Sequence, residues 1–97
     1  MIPWVPVPEY VWSDEMDRKL LSDRGVGFLD IVEAIAAGGL LDVLEHPNAA
    51  KYAHQKIFVV RLRNYVYLVP FVQGASEIAL KTIIPSRKAT RDYGEAP

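Results

Sequence analysis

Lys56-Ile57-Phe58-Val59-Val60-Arg61-Leu62-Arg63, a single Asn64, and then Tyr65-Val66-Tyr67-Leu68-Val69-Pro70-Phe71-Val72 are the residues that decide the fold class. Both runs are dense in β-branched and aromatic side chains, which fit a pleated, half-buried surface. The break between them is short enough for a tight hairpin. With a two-residue turn at Arg63-Asn64, Leu62 opposes Tyr65 and Arg61 opposes Val66. A second break, Gln73-Gly74-Ala75-Ser76, leads to a third run over residues 77–84. Three consecutive strands with short connections form an antiparallel meander. Strict alternation places Phe58, Val60, Leu62, Tyr65, Tyr67, Ile78 and Leu80 on one face, the expected main core. If Gln73-Gly74 is the second turn, Val66 opposes Lys81, and Arg61, Val66 and Lys81 form one row on a cationic second face.

Working outward, two helices precede the meander. Residues 14–22 follow Ser13 or Asp14 as a cap, and Asp14, Glu15 and Asp17 suit the positive end of a helix. Gly25 ends that helix in a left-handed cap. Residues 28–37 carry Phe28, Ile31, Val32 and Ile35 on one stripe, and Gly38-Gly39 stops them. Residues 40–44 read as a short strand, and His46-Pro47-Asn48 as a turn. After the meander, Ser86 caps a short helix ending near Tyr93. The order α-α-β-β-β-β-α specifies an α+β fold: two N-terminal helices, a four-stranded, mainly antiparallel sheet and a short C-terminal helix. Residues 1–11, spaced by Pro3, Pro6 and Pro8, read as an extended arm; residues 12–93 as one domain; residues 94–97 as a frayed tail. Such an arm either packs along an edge or docks a partner, and its exposed aromatics Trp4 and Tyr10 are expected to contribute to docking.

Composition narrows the classes. The 97 residues are 51% hydrophobic and 24% charged, which suits one compact domain rather than a disordered chain. Cysteine is absent, so a disulfide framework, a thiolate metal site and a cysteine nucleophile are excluded. A reducing, cytoplasmic location is expected. The longest apolar run, residues 34–41, is far too short to span a membrane. Met1-Ile2-Pro3-Trp4 has no basic flank, so a secretory signal is not expected. The net charge of −1 hides a division: residues 1–50 hold nine acids against three bases, and residues 51–97 three acids against eight bases. The basic half suits a polyanion and the acidic half a basic protein.

Candidate chemistry gathers in the basic half. Behind the Ser86 cap, Arg87 and Lys88 fall in the first helical turn, where cations oppose the dipole. The same turn has unpaired N–H groups, so Ser86, Arg87 and Lys88 are read as a phosphate site. His54, just before the 56–63 strand, is a candidate general acid or base; His46 and Glu77 are lesser ones. Tyr52, Tyr65, Tyr67 and Trp12 are able to stack on bases, although packing is the commoner use of such residues. No metal site is expected: there is neither cysteine nor a paired-histidine helix motif. No glycine-rich phosphate loop, nucleophile elbow or convincing carboxylate pair is present, so no cofactor is expected.

Four segments carry a family resemblance. Arg24-Gly25-Val26-Gly27-Phe28, Lys56-Ile57-Phe58-Val59-Val60, Tyr65-Val66-Tyr67-Leu68-Val69-Pro70-Phe71 and Lys81-Thr82-Ile83-Ile84-Pro85-Ser86-Arg87-Lys88-Ala89-Thr90 resemble BrnT-type toxins of bacterial type II toxin–antitoxin pairs, in a divergent branch. The resemblance covers roughly residues 12–93, and Arg87-Lys88-Ala89 is its most specific part. It implies a RelE-like fold, metal-independent endoribonuclease activity, an RNA substrate and a cognate antitoxin; a homodimer is left open. Asp23-Arg24-Gly25 stands where the family often has Lys-His-Gly, and Leu80 and Thr82 where it often has arginines. In the roles this implies, Arg87 and its helix end hold the scissile phosphate, and Arg61 with Lys81 stabilises the transition state. His54 or Tyr65 moves protons. The competing reading is a non-catalytic module of the same fold that contacts a partner protein or nucleic acid.

Overall fold

The computed structural model describes residues 9–48, 50–51 and 54–94. Its elements are β1 (Glu9–Val11), α1 (Asp14–Arg24), α2 (Phe28–Ala36), β2 (Leu40–Glu45), β3 (Gln55–Leu62), β4 (Tyr65–Gln73), β5 (Glu77–Leu80), β6 (Ile84–Pro85) and α3 (Arg87–Gly94). This is an α+β fold built on a mixed sheet ordered β1-β5-β4-β3-β2, with β6 paired to β4 beyond β5.

The hairpin forms with the expected register, Leu62 opposite Tyr65 and Arg61 opposite Val66. Arg63 and Asn64 both adopt positive φ, 54° and 66°, as a two-residue turn between right-twisted strands requires. The second turn differs from expectation. Gly74 donates its N–H to Glu77 O at 2.8 Å and Gln73 opposes Ile78, so the turn sits two residues later, at Ala75-Ser76. Lys81 therefore sits beside Pro70, its N–H on Pro70 O at 2.9 Å, rather than beside Val66. A shift of four residues along β4 keeps Lys81 on the same face but moves it about 13 Å down the strand. The row Arg61–Val66–Lys81 does not exist.

Two further corrections concern the sheet's extent. The expected four strands are six among the described residues. Glu9–Val11, the end of the extended arm, packs along the sheet edge as a sixth strand not counted in the expected sheet, paired parallel to β5 with Tyr10 beside Ile78. Tyr10 is thereby half-buried against the core rather than exposed; Trp4 and Tyr52 lie outside the described residues. The run 77–84 is interrupted at residues 81–83 and yields β5 and β6.

α1 and α2 cover one sheet face. Ser13 caps α1, its Oγ accepting from Met16 N–H at 3.2 Å, and Gly25, at φ 71°, closes it with an N–H to Leu21 O at 3.0 Å. Asp17 Oδ1 and Asp30 Oδ2 take the N–H groups of Phe28 and Gly27, which set the start of α2. Leu20, Phe28 and Ile31 then bury themselves against Phe58, Val60, Val69, Phe71, Ile78 and Leu80. This is the face that alternation assigns to the core; Trp12 stacks on Phe28 within it, at 5.7 Å between centroids.

The opposite face is not solvated throughout. α3 lies across β4 and β3, and Ala89 packs on Val59 and Val66, flanked by Leu41, Leu68 and Tyr93. Backbone groups of Val66 tie the helix down: Val66 O accepts from Ser86 N–H at 3.1 Å, and Thr90 Oγ1 accepts from Val66 N–H at 2.9 Å. Thr90→Val removes that acceptor while keeping the shape. Because Val66 is fully buried, its orphaned N–H is expected to cost about 1–2 kcal/mol, read as a lower urea midpoint.

Candidate functional site

The start of α3 has the expected architecture. Ser86 Oγ accepts from Ala89 N–H at 3.0 Å and Ser86 O from Thr90 N–H at 2.9 Å. Helix geometry leaves the Arg87 and Lys88 N–H groups pointing outward without intrahelical acceptors. Both side chains are exposed. Lys88 Nζ reaches Asp92 Oδ2 at 2.9 Å, whereas Arg87 has no side-chain partner among the described residues.

Two residues upstream, Pro85 pairs with Tyr67 and forms one wall of an open hollow of about 310 Å³. The other walls are Tyr65, Asp23 and Arg24. Three elements converge there. Tyr65 and Tyr67 project from one face of β4, their ring centroids 5.4 Å apart and the rings tilted by 58°. Asp23 and Arg24 end α1. Arg63 lashes the hairpin to that helix end, donating to Gly25 O at 3.4 Å and pairing with Asp30 at 3.5 Å. Arg63 is thus committed to structure. The carboxylate of Asp23, the guanidinium of Arg24 and both phenols have no hydrogen-bond partner among the described residues.

The remaining expected residues are dispersed. Arg61 points to the other sheet face, where Nη2 donates to Tyr93 O at the carboxyl end of α3. A cation there complements the helix dipole. That end is about 9 Å of helix rise from Arg87. Lys81 is exposed beside Pro70, and Glu77 is exposed opposite Glu9. His54 precedes β3 at the end farthest from the hairpin, so eight residues, about 26 Å, separate it from Leu62 at the level of Tyr65. His46 Nδ1 accepts from Asn48 N–H at 3.1 Å and serves its turn. Of the expected set, Tyr65 alone lines this hollow; Pro85 leads out of it into the 86–88 segment, of which Ser86 and Lys88 line a different hollow under α3, and Arg61, Lys81 and His54 do not join it. Asp23, Arg24 and Pro85 were missed as site residues. The available signal was Tyr65-x-Tyr67, two aromatics on one strand face beside a basic helix start.

A second hollow of about 220 Å³ lies under α3, lined in part by Leu44, Leu68, Lys88 and Tyr93. Its polar groups are already paired. Tyr93 OH donates to Asp42 Oδ2 at 3.0 Å, and that hydrogen bond, with lesser contributions from partial desolvation and the Asp42 charge, raises the phenol above its ordinary pKa of 10.0. The folded state therefore holds this proton more tightly than the unfolded chain. The stabilisation is present below pH 10 and is lost as pH rises through the raised value. In a tyrosinate absorbance titration, wild type minus Tyr93→Phe is expected to show a transition above that of free tyrosine; a transition at or below it refutes the Asp42 contact.

No three acidic or histidine side chains gather as a metal-ligand group among the described residues, and no helix there is long and apolar enough to cross a membrane. Comparison with family models, curated proteins and solved structures gave no match.

Proposed function

We propose that the chain is an RNA-binding protein of the toxin–antitoxin type that cleaves its substrate without a metal ion, at the hollow and the adjoining start of α3. The observation that carries the reading is the set of uncommitted groups there. Arg24, Asp23 and two phenols meet along Pro85, two residues before the exposed Arg87, while most other arginines and acids near the hairpin are bound to protein. Aromatic rings beside cations are the recurring means of holding a single strand: rings stack on bases, cations follow phosphates.

The chemistry follows from those groups. The RNA 2′-oxygen attacks phosphorus, forming the P–O2′ bond of a cyclic phosphate, and the P–O5′ bond breaks. Arg87 and the free amides behind it neutralise the extra negative charge of the phosphorane. In this reading the Tyr65 phenol donates a proton to the departing 5′-oxygen and is reprotonated from solvent. The 2′-hydroxyl proton passes to solvent, since the candidate histidine, His54, lies far along the strand. Family resemblance adds a cognate antitoxin as partner.

The second reading, RNA binding without cleavage, is favoured by one observation: Arg61, assigned to the transition state, is held by Tyr93 O. Incubating the purified protein with single-stranded RNA in EDTA separates the two. Fragments ending in 2′,3′-cyclic phosphate support cleavage. Intact RNA that is nevertheless bound supports the second reading, and neither binding nor cleavage overturns both.

A further inference from the structure

We infer that the hollow beside Tyr65 and Tyr67 is a guanine-reading subsite, in which Asp23 and Arg24 recognise the Watson–Crick edge of one unstacked base; this rests on the RNA reading above. At about 310 Å³ the hollow lies at the small end of ligand pockets, which run from about 300 to 1,000 Å³, so it takes one base rather than a stack. Two tilted rings on one wall and a proline on another supply apolar surface for its faces.

The polar groups then choose among bases. A carboxylate offers only acceptors and a guanidinium only donors. Guanine alone presents two neighbouring donors, N1–H and the 2-amino group, with the O6 acceptor next to them. Asp23 matches the two donors as a bidentate acceptor, and Arg24 matches O6. Uracil offers one ring donor between two acceptors, cytosine one donor beside two acceptors, and adenine one amino donor beside one acceptor. Each leaves part of the pair unsatisfied.

Local energetics agree. Asp23 stands in the last turn of α1, where the dipole disfavours a negative charge, and has no cationic partner among the described residues. α1 gains nothing from an acid there. Like Arg87 at the opposite kind of helix end, it is a charge that folding does not explain and an incoming ligand does.

The test is fluorescence anisotropy with the intact protein and labelled pentanucleotides, UUXUU with X as G, inosine, A, C or U. Every nucleotide carries a 2′-O-methyl group, which removes the attacking hydroxyl and prevents cleavage at all four linkages. The expected result is a preference for G of about tenfold over A, C and U, the scale of one good bidentate pair. Inosine, lacking the 2-amino group, falls between. Asp23→Asn brings the G-to-A ratio close to one, with an unchanged circular dichroism spectrum because Asp23 is exposed. Tyr67→Ala weakens all five RNAs alike. Equal binding of all five by wild type overturns the guanine assignment while leaving RNA binding in place. A G preference unaffected by Asp23→Asn overturns the role of Asp23. Binding of none overturns both this inference and the reading beneath it.

Discussion

Arg87→Ala is expected to lower single-turnover RNA cleavage by about 10²–10³-fold, the usual effect of removing one group aimed at developing charge. The same variant is expected to be as stable as wild type, or more stable by a few tenths of a kcal/mol. Arg87 is exposed, makes no ion pair among the described residues, and sits at the positive end of α3. Opposite signs in the two measurements are the diagnostic. A structural arginine would lose stability and activity together. Arg87→Lys should retain part of the rate, because charge remains while the planar, two-pronged donor is lost. Quenched-flow cleavage in EDTA and a thermal melt on the same preparations check both halves. If only binding occurs, the loss transfers to RNA affinity, and its salt dependence should flatten by about one phosphate contact. Unchanged cleavage and unchanged affinity would remove Arg87 from the site.

Residue patterning is sufficient for the hairpin and the helix caps, and insufficient for the surroundings of Arg61. Alternation in residues 56–72 carries the hairpin register and the identity of the core face, because a one-residue slip would expose Phe58 and Val60 together. Capping chemistry carries the ends of α1 and the start of α3: Ser13, Gly25 and Ser86 all do what their residue types favour. The turn after Gln73 was not legible. Gln73, Gly74, Ala75 and Ser76 are compatible with several turn positions, and moving the turn by two residues moves Lys81 by four positions of register. Nor does periodicity say which face a terminal helix will cover. Val59 and Val66 marked the second face as apolar at its centre, but only the packing of Ala89 shows that α3 closes it and claims Arg61. The hollow was hidden for a related reason: Asp23 and Arg24 are some forty residues from Tyr65 in sequence, and only the packing of α1 beside the hairpin unites them.

The second large effect is expected at Gly39, where Gly39→Ala should destabilise the fold by about 3 kcal/mol, the upper range for forcing extra atoms into a filled space. A Cβ there would lie 2.6 Å from Arg61 O and 2.8 Å from Ala34 O. Both are backbone atoms of packed elements, so neither can swing aside as a side-chain tip would. The site is also pinned from two directions: Gly39 N–H donates to Ala34 O at 2.7 Å, and Gly39 O accepts from Arg61 N–H at 2.8 Å. One residue thus closes the end of α2 and opens the pairing of β2 with β3, and the close approach of three chain segments leaves room only for hydrogen. For a domain of this size the expected loss corresponds to a melting point lower by about 12–24 °C. Because Arg61 belongs to the strand that must move, its bond to Tyr93 O should weaken as well, loosening the carboxyl end of α3 before global unfolding. Hydrogen exchange of the α3 amides distinguishes this from a local α2 effect: in Gly39→Ala, protection should fall in β2 and at the end of α3 together. A melting point within a degree or two of wild type would mean that β2 can shift away from β3 without cost, and that the Gly39 contact does not lock the two sheet strands.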